Sequence, residues 1–154
     1  MDDFSLARTL HILAVVMWIG GVGFVTTTAM PAIRASHAPA DRLNAFHQFE
    51  RRFVWQARFW VLLAGISGFW MTMRADLWTR FQDVSFWWMH AMVLVWLLFF
   101  AMLFVIEPMV LHRRMEASPA PAKDFDRMER MHRVLLVLSL IAVLAAAAGS
   151  HGLL

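Results

Sequence analysis

The sequence predicts an all-α integral membrane protein, and three observations carry that reading. Of its 154 residues 60% are hydrophobic and only 16% are charged, against about a quarter charged in an ordinary soluble domain. Mean hydropathy is +0.58. Four apolar runs, about 10–32, 53–73, 86–111 and 134–154, each reach the roughly 20 residues that a helix needs to cross a bilayer. The chain reads as a single transmembrane domain over 1–154, a four-helix bundle.

The first run, Leu10–Ala32, follows Asp2 and Asp3 rather than a basic segment, and it is longer than a signal peptide's apolar stretch. It reads as a span. The second, Phe53–Met73, is preceded by Leu43, Phe46 and Phe49 at helical spacing, with Asp41 as candidate N-cap. A helical extension therefore leads into it. Phe86–Leu111 forms the third run. Ser118-Pro119-Ala120-Pro121-Ala122 is then a clear break, and Asp124 is the candidate cap of a second extension that carries Phe125, Met128 and Met131 into Val134–Leu154.

Basic residues near span ends set the orientation. Arg34, Arg42, Arg51 and Arg52 lie between runs one and two. Arg113, Arg114, Lys123, Arg127, Arg130 and Arg133 lie between runs three and four. The opposite side has Arg8, Arg74 and Arg80, so ten face three. Both long loops are expected in the cytoplasm and both termini in the periplasm of a bacterial inner membrane.

Composition also excludes chemistry. With no cysteine, disulfides, iron–sulfur clusters and thiolate-ligated metals are ruled out. A net charge of +3, with basic residues flanking apolar runs, fits a lipid bilayer and no nucleic acid. No G-x-S-x-G, H-E-x-x-H, P-loop or dinucleotide fingerprint is present.

His11 and His90 each sit about a turn inside an apolar run. A histidine there is costly without a partner and marks a functional site by default. Two at matching depth on different helices are expected to share one ligand, a haem b held from opposite sides of its ring. Trp18 lies seven residues after His11, on the same helix face, while Gly20, Gly21 and Gly23 allow close packing. Arg74 and Arg80, on the same side, suit haem propionates. The bland alternative is two interfacial histidines bonded to loops and headgroups, with solvated arginines beside them.

A faint repeat runs through the chain. His11 precedes Pro31 by 20 residues and His90 precedes Pro108 by 18; each proline is followed by a basic segment, an Ala-Pro-Ala and an Asp-led helix. As a parallel repeat about an axis along the membrane normal, it would set the two histidines facing each other. Met89 and Met92 flank His90, and Met128 and Met131 precede His132. Thioether and imidazole form a copper(I) set, although methionine is also a common gap-filler. Arg58 and Glu107 are expected to approach as a structural ion pair. His37, His47, His112 and His132 lie toward the cytoplasm among arginines, and His112 with His132 is the rival location for a metal or haem.

The segment Leu10-His11-Ile12-Leu13-Ala14-Val15-Val16-Met17-Trp18-Ile19-Gly20-Gly21 resembles the first helix of the copper-resistance D (CopD-like) membrane family and of the HemJ-type protoporphyrinogen oxidases. Arg52-Phe53 through Arg58-Phe59 into Leu62-Leu63-Ala64-Gly65 resembles their second span. The resemblance implies a four-helix membrane bundle. From the oxidase side it implies a b-type haem, with the ligand histidine of the first helix falling on His11. Those relatives carry a functional lysine near the start of the third span, where this chain has His90 and no lysine on any run. That departure favours a bis-histidine haem in electron transfer, with quinone or another membrane redox protein as partner. Copper transport or tolerance, protoporphyrinogen oxidation and a cofactor-free partner-binding subunit are the alternatives. Outward Trp and Phe suit lipid or a second copy in a homo-oligomer.

Overall fold

The computed structural model describes residues 2–111 and 118–153. All regular structure among them is helical. Helix α1 spans Asp3–Ser36 and α2 spans Arg42–Arg74. Two short 3₁₀ turns, Leu77–Gln82 and Val84–Phe86, lead into α3, Trp87–Ala101, which continues as wider π-helical turns over Met102–Leu111. Helix α4 is Pro121–Ser150. His112, Arg113 and Arg114 lie outside the described residues.

Asp2 caps α1 by accepting the Ser5 backbone N–H at 2.7 Å. The helix then survives its internal Pro31 by widening. Proline lacks an N–H and crowds the carbonyl four residues back. Over Val25–Ala29 the chain takes π geometry instead, with the Met30 N–H reaching the Val25 carbonyl. Thr26 and Thr27 hydroxyls donate to the Val22 and Gly23 carbonyls. Pro108 likewise lies inside the π segment of α3. Of the two prolines singled out in the repeat, Pro108 sits on widened turns and Pro31 just after them.

Two helix starts differ from expectation. Asp41 does precede α2, but its own backbone is α-helical (φ −96°, ψ −13°) and its side chain caps nothing. An N-cap carboxylate needs an extended backbone to swing over the first free N–H groups. Helix α4 begins at Pro121, three residues before Asp124. Proline is well placed there, because its missing N–H would have no partner in the first turn. Asp124 instead accepts the Ser118 hydroxyl at 2.6 Å.

The helices pack with small residues inside and large ones outside. Buried positions include Ala14 on α1, Ala57, Ala64 and Ser67 on α2, and Ser139, Ala142 and Ala145 on α4. Trp18, Val61, Val95 and Phe99 complete this core. Val16, Trp55, Ile66 and Leu144 point outward, each more than 60% exposed. In the most apolar window of the third helical rod only 17% of residues are buried. Apolar helices that do not bury their apolar residues, and meet through small ones, follow the packing rule of a lipid environment.

Three helices, Asp3–Ser36, Val84–Pro108 and Pro121–Ser150, are long and apolar enough to cross a membrane. Helix α2 holds the expected Phe53–Met73 run but is less apolar, since Gln56, Arg58, Gly65, Ser67 and Gly68 dilute it. The described N- and C-terminal residues lie at one end of the helices, where Arg74 pairs with Asp3 at 2.8 Å and Gly149 meets Trp88. At the other end Arg34 of α1 bonds Glu129 of α4 at 3.0 Å through Nε and lies over the Phe125 ring. Glu129 is only 4% exposed and also receives Arg133.

Candidate functional site

His11 lies on α1 where that helix meets α2. Its Nδ1 is 2.9 Å from the Ala64 carbonyl oxygen and 3.2 Å from Ser67 Oγ. A carbonyl only accepts, so Nδ1 carries the proton, and in the neutral imidazole Nε2 keeps its lone pair. The cradle depends on small residues. A Cβ at Gly68 would stand 3.1 Å from His11 Cε1, so any side chain there would push the ring away. Histidine ligands are commonly held in this way, with the non-ligating nitrogen donating to a carbonyl that fixes ring and tautomer. His11 therefore has the donor chemistry of an axial haem ligand.

His90 has a different setting. Trp18 of α1 meets Phe99 of α3 edge to face at 4.9 Å. His11 lies seven residues before Trp18 and His90 nine before Phe99, roughly 10 and 14 Å toward the terminal end at 1.5 Å per residue. The two histidines are thus at similar depth. Seven residues are about two turns and keep His11 on the face of Trp18; nine are about two and a half and turn His90 away from the face of Phe99. His90 is exposed, stacks edge-on against Phe81 and bonds the Phe81 carbonyl through Nε2 at 3.1 Å. The structure does not bring His11 and His90 onto one face.

Trp88, two residues before His90, is buried instead. Its indole fills the notch at Gly149 of α4, where an added Cβ would meet Nε1 at 2.2 Å.

The remaining candidates are dispersed. Trp18 is buried against Phe99. Arg74 is paired with Asp3, and Arg80 lies over the Phe86 ring at 5.0 Å. Met89 is buried beside Trp88 and Ala145, on another side of α3 from exposed His90, so Met89, His90 and Met92 do not converge as a copper set. Among the described residues no three or more His, Asp or Glu side chains come together as a metal site. Arg58 and Glu107 do form the expected ion pair, with Arg58 Nε also donating to the Leu103 carbonyl at 3.1 Å.

At the loop end, His47 is buried and shares Nδ1 with Glu50 at 3.2 Å, while its Nε2 has no partner among the described residues. Phe46 separates it from His132, which stacks edge-on on that ring and bonds the Met128 carbonyl. His37 is exposed, and its ring bonds the neighbouring Ser36 hydroxyl. His112, half of the rival pair, falls outside the described residues.

No protein-family model, curated protein or solved structure matches the chain.

Sequence reasoning passed over the residues that hold His11. Ala64, Ser67 and Gly68 belong to a small-residue stripe in an otherwise bulky run, and that stripe was the available signal. It also passed over the Arg34–Glu129 contact. Glu129 follows Phe125 by four residues, on the buried face of α4.

Proposed function

We propose that the chain is a four-span protein of the bacterial inner membrane, with both termini periplasmic, that binds a b-type haem through His11 and serves electron transfer. The observation that carries the reading is the His11 cradle. The Ala64 carbonyl holds the Nδ1 proton and orients the ring, leaving Nε2 as the ligating nitrogen. The close contact with Gly68 fixes the imidazole before any ligand arrives, which reduces the ordering cost of binding. A haem supplies one-electron chemistry; the protein's part is to hold the ligand, exclude water and tune the potential.

His90 is the second ligand in the bis-histidine form of this reading, and ligation requires it both to give up the Phe81 carbonyl and to turn toward the face that His11 occupies. The membrane part of the proposal is supported by three long apolar helices with outward apolar residues and by the ten-to-three imbalance of basic residues.

An optical spectrum of the detergent-purified protein, oxidised and dithionite-reduced, tests the site. We expect a Soret band that shifts on reduction and disappears in His11→Ala. A high-spin spectrum in His90→Ala supports the pair; an unchanged low-spin spectrum retires His90 and leaves His11 as the ligand. A colourless protein with stoichiometric copper, or a His11→Ala variant that keeps its haem, overturns the assignment.

A further inference from the structure

Between α1 and α2, toward the loop end, lies an open groove of roughly 1020 Å³. Met17, Gly20, Gly21 and Phe24 form one wall, and Gln48, Arg52 and Gln56 form the other. Those last three recur every four residues and so make one stripe along α2. Among the described residues none of the three side chains makes a hydrogen bond or ion pair, whereas Arg34, Arg58, Arg74 and Arg133 all have acidic partners. No carboxylate lines the groove.

Trp18 also lines it. That residue is 5% exposed, and its indole N–H has no hydrogen-bond partner among the described residues. A buried donor left without an acceptor is costly. The groove contains no histidine, so its chemistry is separate from that of His11. A smaller groove of roughly 400 Å³ continues from it along α2, sharing Met17, Gln56 and Trp60 and adding Trp55 and Phe59. The composite surface is cationic and amide-rich beside Gln48 and Arg52, and aromatic beside Phe59 and Trp60.

The geometry points to a specific binding site for one anionic glycerophospholipid of the cytoplasmic leaflet. Its phosphate would bond Arg52 and the flanking glutamine amides, and an acyl chain would follow Trp55, Phe59 and Trp60 toward the bilayer centre. A guanidinium without a carboxylate partner suits a phosphate, which can accept two of its N–H groups. Glycine at position 20 leaves space for the chain, since a Cβ there would meet nothing within 4 Å. This inference rests on the membrane-spanning reading and is independent of the haem.

Native mass spectrometry of the full chain in non-ionic detergent tests it, with phosphatidylglycerol and phosphatidylcholine of the same acyl chains as probes. One phosphatidylglycerol should bind with at least about tenfold preference, because both lipids carry a phosphate but the trimethylammonium of phosphatidylcholine brings a second cation beside Arg52. Arg52→Gln should reduce that preference to none, and Arg52→Lys should keep part of it, which separates charge recognition from misfolding. Equal binding of the two lipids, or a preference that survives Arg52→Gln, overturns the site. So does a neutral quinone that displaces the lipid and ignores Arg52→Gln, which would make quinone the occupant. Carbonate extraction of membranes separates the two readings. Release of the protein sinks the membrane reading itself, whereas retention without lipid preference sinks only the lipid.

Discussion

Single glycines decide how closely these helices approach, and they do so unequally. A Cβ at Gly65 would stand 2.5 Å from Trp96 Cζ2, and the Trp96 indole donates to the Val61 carbonyl at 2.8 Å. Gly65→Ala must displace that ring and its bond, at a cost of about 1–3 kcal/mol for overpacking. Gly20 faces open space, so Gly20→Ala should gain roughly 0.5–1 kcal/mol of helix propensity. Thermal unfolding in detergent should move the two variants in opposite directions. Asp83 offers a different test. Its carboxylate accepts the Ser85 backbone N–H at 2.9 Å and the Ser85 hydroxyl at 2.8 Å, and these bonds, the backbone one foremost, lower its pKa below the ordinary carboxylate value. A folded pKa below the unfolded one stabilises the turn above the unfolded value, and the contribution fades as pH falls through the folded one. The protection of the Ser85 amide against hydrogen exchange, corrected for the intrinsic pH dependence of exchange, should therefore fall below the usual carboxylate range. Asp83→Asn should remove that pH dependence.

At the scale of helices, sequence periodicity read existence better than register. The stretch from Leu43 to Met73 was legible as an extension running into a span, because apolar residues recur every three or four positions, and α2 is indeed one helix. Its start was not equally legible, since a residue type cannot reveal that Asp41 takes a helical backbone. Histidine facing was harder still. Depth follows from counting residues inward, but facing depends on a neighbour helix. Trp88, two positions from His90, takes the inward place at Gly149. The Arg58–Glu107 pair was readable from two charges at matching depth, and it joins α2 to α3. Arg58 also lies over the Trp55 and Phe104 rings, so the guanidinium is fixed on three sides. Removing either partner strands a charge in apolar surroundings, and Arg58→Leu or Glu107→Leu alone should cost about 3–5 kcal/mol. The double variant should recover most of that loss, as apolar replacement of whole buried pairs often does. Additive losses in a double-mutant cycle of unfolding free energies would mean that the two charges act independently.

Many bulky apolar residues lie on the outside of the described helices, and under the proposed membrane reading the least apolar of the four long helices decides how the protein would sit in a bilayer. If α2 crosses, the turn at 37–41 and the 118–120 segment share one side, while Leu77–Phe86 and the described C-terminal residues share the other. If α2 lies along the interface instead, only three crossings remain, and residues 38 and 79 fall on the same side. Several features favour crossing. Helix α2 lies antiparallel along α1 over much of its length, from the Gly21–Phe53 contact to the Gly68–His11 contact. Arg58, its one charge well inside the apolar run, is neutralised by Glu107. The basic residues Arg42, Arg51 and Arg52 cluster at its start, where the cytoplasmic face is expected. Because the chain has no native cysteine, single cysteines report cleanly on sidedness. Ala38→Cys, Thr79→Cys, Pro119→Cys and His151→Cys all replace exposed residues. A membrane-impermeant maleimide added to intact spheroplasts should label positions 79 and 151 and spare 38 and 119 until the membrane is opened. Labelling of 38 together with 79 would withdraw α2 from the bilayer and, with it, the depth at which the His11 cradle is expected to work.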